Sequence, residues 1–157
     1  MSRQSSPSVC FADADLTGAG QCVAFNFRRT ARALTKAYDA ALRSTGLRST
    51  QFSILVGVAK MQPVSVSDLA YALLLDQSTL SRGLHLMRRQ QLLVVSRRSA
   101  MRQRFVTLSP TGARALSRSV PRWRKTQRRF VADIGDKRWR EMRRALERLS
   151  RHALRVS

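Results

Sequence analysis

Apolar side chains recur at helical spacing from Val23 onwards. Steps of four, three, four and three residues separate the positions Phe27, Ala31, Leu34, Tyr38 and Ala41. This spacing places the five side chains on one face of a helix, and Gly46 is predicted to end it. A second helix is predicted around Phe52, Leu55, Val56 and Ala59, and it ends before Pro63.

Two short helices are predicted next, joined by a tight turn. Ser65 and Asp68 have the spacing of a capping box, with Asp in place of Glu or Gln, and open a helix from Val66 to about Leu74. Asp76 offers a second N-cap, for a helix from about Gln77 to Arg89. Two such helices form a helix-turn-helix unit.

The third quarter of the chain changes to a strand-like pattern. Leu92–Ser96 and Arg104–Leu108 are rich in β-branched and apolar residues, and Arg97–Gln103 between them is polar, which predicts a β-hairpin with a basic loop. Ser109 and Pro110 then open a long helix, which Pro121 should kink.

A final helix is predicted after Gly135, with apolar steps of three, four, three and four at Trp139, Met142, Leu146, Leu149 and Ala153. The predicted fold class is therefore mainly α with a small β-hairpin wing. We expect a single structural domain.

Charge narrows the choice of partner. The 157 residues carry 30 Lys plus Arg against 9 Asp plus Glu, a net charge of +21. A biased codon usage could favour Arg over Lys, but it does not explain the shortage of acids. Such a charge indicates a polyanionic partner, with nucleic acid first and an anionic membrane surface second.

Membrane insertion and secretion are not expected. The longest apolar runs fall far below the ~18 residues of a membrane span. Met1–Ser8 is polar and shows no signal peptide, so a cytoplasmic location is expected. Cys10 and Cys22 are too few for a disulfide framework.

The hypothesis about function depends on the polar face of the helix from Gln77 to Arg89. Its hydrogen-bonding side chains lie opposite Leu80, Leu84 and Met87, and no acid interrupts them. The residues expected to meet base edges in a major groove are Gln77, Ser78, Thr79, Ser81, Arg82 and His85. The alternative is an ordinary amphipathic helix with a solvated polar face.

The hairpin loop is expected to act as a basic wing. Arg97, Arg98, Arg102 and Arg104 could reach phosphates or enter a narrow minor groove. The alternative is a solvated loop.

Enzyme chemistry finds little support in the sequence. Gly18-Ala19-Gly20 lacks the third glycine of a dinucleotide loop and has no preceding strand. His85 and His152 lie far apart without neighbouring Cys or carboxylates, and no catalytic pair of acids is evident. We therefore expect no enzyme, no cofactor and no metal site.

These elements, in this order, resemble the MarR family of winged helix-turn-helix regulators over roughly residues 25–150. The strings that carry the resemblance are Thr50-Gln51-Phe52, Val66-Ser67-Asp68-Leu69-Ala70, Gln77-Ser78-Thr79-Leu80-Ser81-Arg82, Leu92-Leu93-Val94 and Leu108-Ser109-Pro110-Thr111-Gly112. The resemblance implies a homodimer whose N- and C-terminal helices interlock. It divides the chain into an N-terminal arm (1–20), a dimerisation helix (21–45), a winged helix-turn-helix region (46–110) and C-terminal dimerisation helices (111–157).

Two positions depart from the family pattern. Ala100 stands where the family usually has an Asp that orients the wing Arg, here Arg102. Gln91 replaces the glycine that usually precedes the Leu-Val strand, so the turn is made without glycine at some conformational cost.

The resemblance also suggests two kinds of regulation. Many family members bind small aromatic effectors, and Phe27, Tyr38, Phe52 and Trp123 could line such a pocket or belong to the core. Some members sense peroxides through a cysteine in the first helix. Cys22 falls two residues short of that position, so it is either a redox centre, helped by Arg28 and Arg29, or an ordinary reduced thiol.

The leading hypothesis is a dimeric, sequence-specific DNA-binding repressor that a small molecule releases from a pseudo-palindromic operator. One alternative is an architectural protein that coats DNA through the most basic third of the chain, residues 111–157, which carries +11. A weaker alternative is a thiol-based redox regulator acting through Cys22.

Overall fold

Six α-helices and a small antiparallel sheet make up the described part of the protein. The computed structural model describes residues 18–97 and 103–156, with the backbone alone at Arg97. The helices are α1 (Val23–Leu42), α2 (Ser49–Met61), α3 (Val66–Leu73), α4 (Gln77–Arg89), α5 (Pro110–Ile134) and α6 (Asp136–Val156). The strands are β1 (Val64–Ser65), β2 (Leu93–Arg97) and β3 (Arg104–Leu108), and short 3-10 helices span Ala19–Gln21 and Arg43–Thr45.

Side-chain oxygens cap α3 and α5 at predicted positions. The Ser65 hydroxyl accepts a hydrogen bond from the Asp68 N–H at 3.0 Å. The same Ser65 hydroxyl donates a hydrogen bond to the Asp68 carboxylate at 2.7 Å. At α5, Ser109 Oγ accepts from the Gly112 N–H at 2.9 Å, with proline in the first turn. These bonds satisfy N–H groups that lack a helical partner.

The wing contains one strand more than predicted. β2 and β3 form the expected antiparallel hairpin, but β1 pairs with the other edge of β3 and completes a three-stranded sheet in the order β1-β3-β2. A strand of two residues is too short to show the alternation that identifies strands in a sequence. The prediction was also wrong at Arg97, which ends β2 instead of lying in the loop.

The turn before β2 has the predicted conformational cost. Gln91 has a φ of 56°, in the left-handed region that glycine adopts most easily. A glycine is used nearby for a different reason. A Cβ on Gly112 would lie 1.9 Å from the Leu92 carbonyl oxygen, so only glycine allows α5 to start against the backbone that leads into β2.

By backbone contacts the chain divides within α1 into a unit that ends at Leu34 and a unit that runs from Thr35 to Ser157. In the described part of the first unit, the Asn26 amide donates to the carbonyls of Gly20 and Cys22, at 2.8 and 3.0 Å. These bonds join the 3-10 turn to the start of α1.

The core of the second unit lies where α2, α3 and α4 meet the sheet. Fully buried side chains include Leu55 and Val58 from α2, Leu69 from α3, Leu80 from α4 and Val106 from β3. Removing a fully buried leucine side chain typically costs about 2–5 kcal/mol. The core therefore fixes the rotation of α4 and decides which of its faces reaches solvent.

The terminal helices contribute little to this core. Leu42 is the one buried residue of α1, and α6 buries none of its residues. Apolar side chains on both helices, including Phe27, Leu34, Met142 and Leu149, remain more than a third exposed. α5 continues through Pro121, and the predicted kink there stays a prediction.

Candidate nucleic-acid interface

α4 presents the predicted polar face to solvent. Leu80, Leu84 and Met87 are buried, and at most 4% of the surface of each residue is exposed. On the other side Ser81 is half-buried, and the remaining predicted residues are exposed: Gln77, Ser78, Thr79, Arg82 and His85. Within α4 no residue is acidic, so nothing on the helix itself repels a phosphate.

Asp76 organises the first turn of α4 from outside the helix. Its Oδ1 accepts from the Ser78 hydroxyl at 2.6 Å and from the Thr79 N–H at 2.7 Å. Hydrogen bonds from the Ser78 and Thr79 side chains, followed by the Thr79 backbone bond, hold the pKa of this carboxyl far below its usual range. The N-cap predicted at Asp76 is therefore confirmed, and it also orients Ser78.

Two further side chains on this face are held by neighbours. The Gln77 amide donates to Ser67 Oγ on α3 at 3.2 Å, and Arg82 Nη2 donates to Thr79 Oγ1 at 3.4 Å. The Gln77 carbonyl oxygen and most Arg82 N–H groups stay available, because these bonds use one donor each. Gln77 and Arg82 are thus positioned while they keep the groups that pair with base edges.

A groove of about 390 Å³ separates the second half of α4 from the wing. Ser81, His85 and Arg88 line it from α4, and Val95 and Arg104 line it from the sheet. The fold thus places Arg104 and His85, which lie 19 positions apart in the sequence, on the walls of one groove. Such a groove, with two guanidinium groups on its walls, suits a phosphate.

Arg88 is a candidate contact that the sequence prediction missed. Arg88 lines the groove between α4 and the wing, but it is not among the residues selected from the sequence. Its spacing of three residues from His85 and seven from Ser81 was an available signal, since residues so spaced share a helix face.

The wing is described only at its base. Arg97 and Arg104 face each other in the register of β2 and β3, which brings two cationic positions together. The other predicted wing residues, Arg98 and Arg102, lie outside the described residues, as does Ala100. Arg104 is exposed at the start of β3.

Three of the four aromatic residues considered for an effector pocket make ring contacts. Phe52 is buried and stacks on Trp123, with ring centroids 5.8 Å apart. The ring centroids of Tyr38 and Phe130 lie 5.6 Å apart. The Tyr38 hydroxyl donates a hydrogen bond to the Gln127 side-chain oxygen at 2.6 Å. Burial raises the pKa of Tyr38.

Phe27 belongs to the first unit and is 45% exposed. A shared pocket for the four aromatic residues stays a prediction.

A second cavity, of about 520 Å³, borders α4 on the side of α2. Its lining includes Ile54, Leu75, Thr79 and Leu86. Near its rim the Gln51 amide donates to the Gln90 side-chain oxygen at 2.8 Å and ties α2 to the end of α4. Thr79 borders this cavity and also belongs to the exposed polar face, so a molecule bound here would contact the helix that carries the predicted base contacts.

Cys22 is exposed and has a free thiol, and its redox role stays a prediction. Residues 18–97 and 103–156 contain no group of three or more His, Cys, Asp or Glu placed to hold a metal ion. Over the same ranges, no helix combines the length and apolar character needed to cross a bilayer.

A helix-turn-helix whose second helix is exposed beside a three-stranded wing defines the winged-helix class of DNA-binding regulators. Solved structures identify the family within that class. The chain is 36% identical to the Mycobacterium tuberculosis transcriptional regulator MosR, solved in complex with DNA, with a TM-score of 0.80. The match covers 86% of this chain and 98% of MosR.

Two further regulators share the fold at lower identity. AbsC, a MarR-family transcriptional regulator from Streptomyces coelicolor, is 24% identical over 88% of this chain and 96% of its own, with a TM-score of 0.75. CouR from Rhodococcus jostii RHA1, bound to p-coumaroyl-CoA, is 22% identical over 83% and 92%, with a TM-score of 0.71.

The chain belongs to the MarR family of transcriptional regulators. No protein-family model and no curated protein sequence matches it.

Proposed function

We propose that this MarR-family protein is a homodimeric, sequence-specific DNA-binding repressor that leaves its operator when a small molecule binds. The observation that carries the proposal is the exposed, acid-free polar face of α4, held in place by the core and by Asp76. MosR was solved with DNA, and CouR is described as a transcriptional repressor bound to a DNA duplex.

Each part of the surface has an assigned role. Gln77, Ser78, Thr79, Ser81, Arg82 and His85 read base edges in the major groove, with Arg82 the best donor for guanine. Arg88 and Arg104 bind a backbone phosphate in the groove between α4 and the wing. Arg97, Arg98 and Arg102 extend the phosphate contacts along the wing.

Dimerisation explains the apolar side chains that the terminal helices leave exposed. Met142 and Leu149 on α6, and Phe27 and Leu34 on α1, find partners in a second copy of the chain. A two-fold dimer presents two copies of α4, so its operator is a pseudo-palindrome with half-sites about 10 base pairs apart, one turn of DNA.

The effector is proposed to be a small aromatic molecule. CouR was solved with p-coumaroyl-CoA, and the Bordetella bronchiseptica protein BpsR has its DNA binding regulated by 6-hydroxynicotinic acid. Phe27, Tyr38, Phe52 and Trp123 are the proposed contacts. The proposal assigns no catalytic step or cofactor, and a regulator that acts on chromosomal DNA works in the cytoplasm.

Replacing Arg82 with alanine tests the role of α4. We expect the Arg82→Ala variant to lose about 1–3 kcal/mol of binding free energy on the preferred sequence and little on random DNA, because a base contact is lost. The preferred sequence is first selected from a random pool of fragments, and dissociation constants are then measured at fixed salt.

Arg138→Ala is the matched control. Arg138 is an exposed arginine on α6, so its replacement removes the same charge away from α4. If Arg82→Ala weakened binding to both DNAs equally, Arg82 would be a phosphate contact and its assigned role would be wrong.

A further inference from the structure

The outward face of α6 carries an uninterrupted row of cations. Successive residues of an α-helix are about 100° apart, so six side chains fall within an arc of about 80°. They are Lys137, Arg140, Arg144, Arg148, Arg151 and Arg155, which we call the basic stripe. All six are exposed, and the stripe runs for about 27 Å along the helix.

Within the described residues no ion pair neutralises a stripe cation, and Glu141 and Glu147 border the stripe on either side. The ion pair on α6 joins Arg143 to Glu147 at 3.1 Å, and Arg143 lies outside the stripe. None of the six cations makes a side-chain hydrogen bond or an ion pair within residues 18–97 and 103–156. Like charges three and four residues apart destabilise a helix slightly, so the stripe has a local energetic cost.

The apolar side chains of α6 lie on the opposite face. Trp139, Met142, Leu146 and Leu149 are centred about 180° from the centre of the stripe. The apolar face can therefore pack against a second copy of the chain while the stripe stays in solvent. At the C-terminal end, Arg148, Arg151, His152 and Arg155 line a shallow depression of about 200 Å³.

We propose that the basic stripe binds the phosphate backbone of a second DNA duplex, separate from the duplex that α4 reads. Duplex DNA carries about one charge per 1.7 Å, and binding to it releases condensed counterions. Five of the six cations are arginine, whose planar guanidinium pairs with two phosphate oxygens at once.

An anionic membrane is the less favoured partner. Helices that bind a bilayer surface insert their apolar face into it, and the dimer proposed for this protein covers that face of α6. The inference rests on the proposed function only in that α4 holds the protein close to DNA, which raises the local concentration of duplex at the stripe.

A two-duplex capture experiment tests the stripe. Full-length protein is loaded on a tethered random-sequence duplex, and capture of a second, fluorescent duplex is measured over a range of salt. We expect the wild type to capture it. The triple variant Arg144→Gln, Arg148→Gln, Arg151→Gln should capture at least about tenfold less, with a salt slope shallower by about 0.9 per lost contact. Its loading on the tethered duplex should be unchanged.

A scattered triple variant controls for net charge. Arg32→Gln, Lys60→Gln and Arg138→Gln remove three exposed cations from α1, α2 and α6 outside the stripe, and capture should stay at the wild-type level. Undiminished capture by the stripe variant, or equal loss in both triples, would overturn the inference. So would stripe-dependent binding to phosphatidylglycerol vesicles without duplex capture.

The capture experiment stays separate from the test of α4. Random-sequence DNA is used throughout, so a failure of sequence preference at Arg82 would leave capture intact. Conversely, a failed capture would leave the preference at α4 untouched.

Discussion

At the residue scale, the Asp76 carboxylate orients the start of the helix that is proposed to contact DNA bases. Asp76 accepts hydrogen bonds from Ser78 and Thr79 through the same oxygen, which fixes the start of α4. Thr79 in turn receives a bond from Arg82. The side chains proposed to meet the first bases are therefore ordered before DNA arrives, which lowers the entropic cost of binding.

The lowered pKa of Asp76 makes this cap sensitive to acid. Because the pKa is lower in the folded than in the unfolded protein, the carboxylate stabilises the fold above its unfolded value of about 3.9. That contribution is lost as the pH falls from about 3.9 through the folded pKa. We expect Asp76→Asn to be less stable than wild type near pH 7 and to converge with it in acid, as measured by urea unfolding.

Asp133→Asn is the control, since it removes one exposed carboxylate from α5. A stability difference between Asp76→Asn and wild type that stayed constant from neutral to acidic pH would contradict the role of the Asp76 charge.

Residue-level prediction from sequence succeeded where a periodic pattern carried the signal. The exposed face of α4 could be predicted because Leu80, Leu84 and Met87, at steps of four and three, define the buried face. The bond from Gln77 to Ser67 and the placement of Arg104 and His85 in one groove could not be predicted. Both depend on how separate elements pack, and no local pattern records that.

At the element scale, the wing depends on how α5 meets β2. The Ser109 hydroxyl caps α5 and also donates to the Gln91 carbonyl, while the Leu92 carbonyl accepts from the Ser109 N–H at 3.2 Å. Gly112 lies against Leu92. These contacts join the end of the sheet to the first turn of the long helix.

Replacing Gly112 with alanine should break this junction. The new Cβ would overlap the Leu92 backbone, which cannot move as a flexible side chain would. We expect the free energy of unfolding to fall by at least about 1–3 kcal/mol, the usual cost of overpacking, as measured by chemical denaturation.

Gly20→Ala serves as the comparison, because nothing lies within 4 Å of its added Cβ. If Gly112→Ala were as stable as Gly20→Ala, the close approach of α5 to β2 would be wrong.

Most of the helix boundaries could be predicted because caps and glycines mark them in the sequence. α4 and β3 have the predicted ends. β1 was missed because its two residues pair with β3, which lies about 40 positions later in the chain. The hydrophobic pattern of a short segment does not show which distant segment it pairs with.

At the scale of the whole molecule, the exposed apolar faces of the terminal helices are proposed to pack against a second copy of the chain. α6 buries none of its residues, although its apolar face is continuous. An exposed face of this kind usually marks an interface.

Two charges on that face should separate the protomers. We expect Met142→Glu combined with Leu149→Glu to yield a monomer in sedimentation velocity with unchanged helical content, because neither side chain contributes to the core.

Arg144→Gln combined with Arg151→Gln shifts the net charge by the same amount on the opposite face and should leave the dimer intact. A dimer that persisted in the double glutamate variant would place the interface elsewhere.

The net charge of +21 could be read from composition, but its distribution needed the fold. Arg82, Arg88 and Arg104 lie on or beside α4, whereas the basic stripe lies on α6. Composition alone cannot distinguish a general attraction to DNA from a surface that reads sequence.

The most direct test of the central claim is the ratio of two dissociation constants at physiological salt. One is measured on a fragment selected by the protein from a random pool, and the other on a scrambled fragment of the same composition. We predict that the selected fragment binds at least about 10³-fold more tightly, as specific regulators do. Equal affinities would contradict the claim and favour a protein that coats DNA through charge alone.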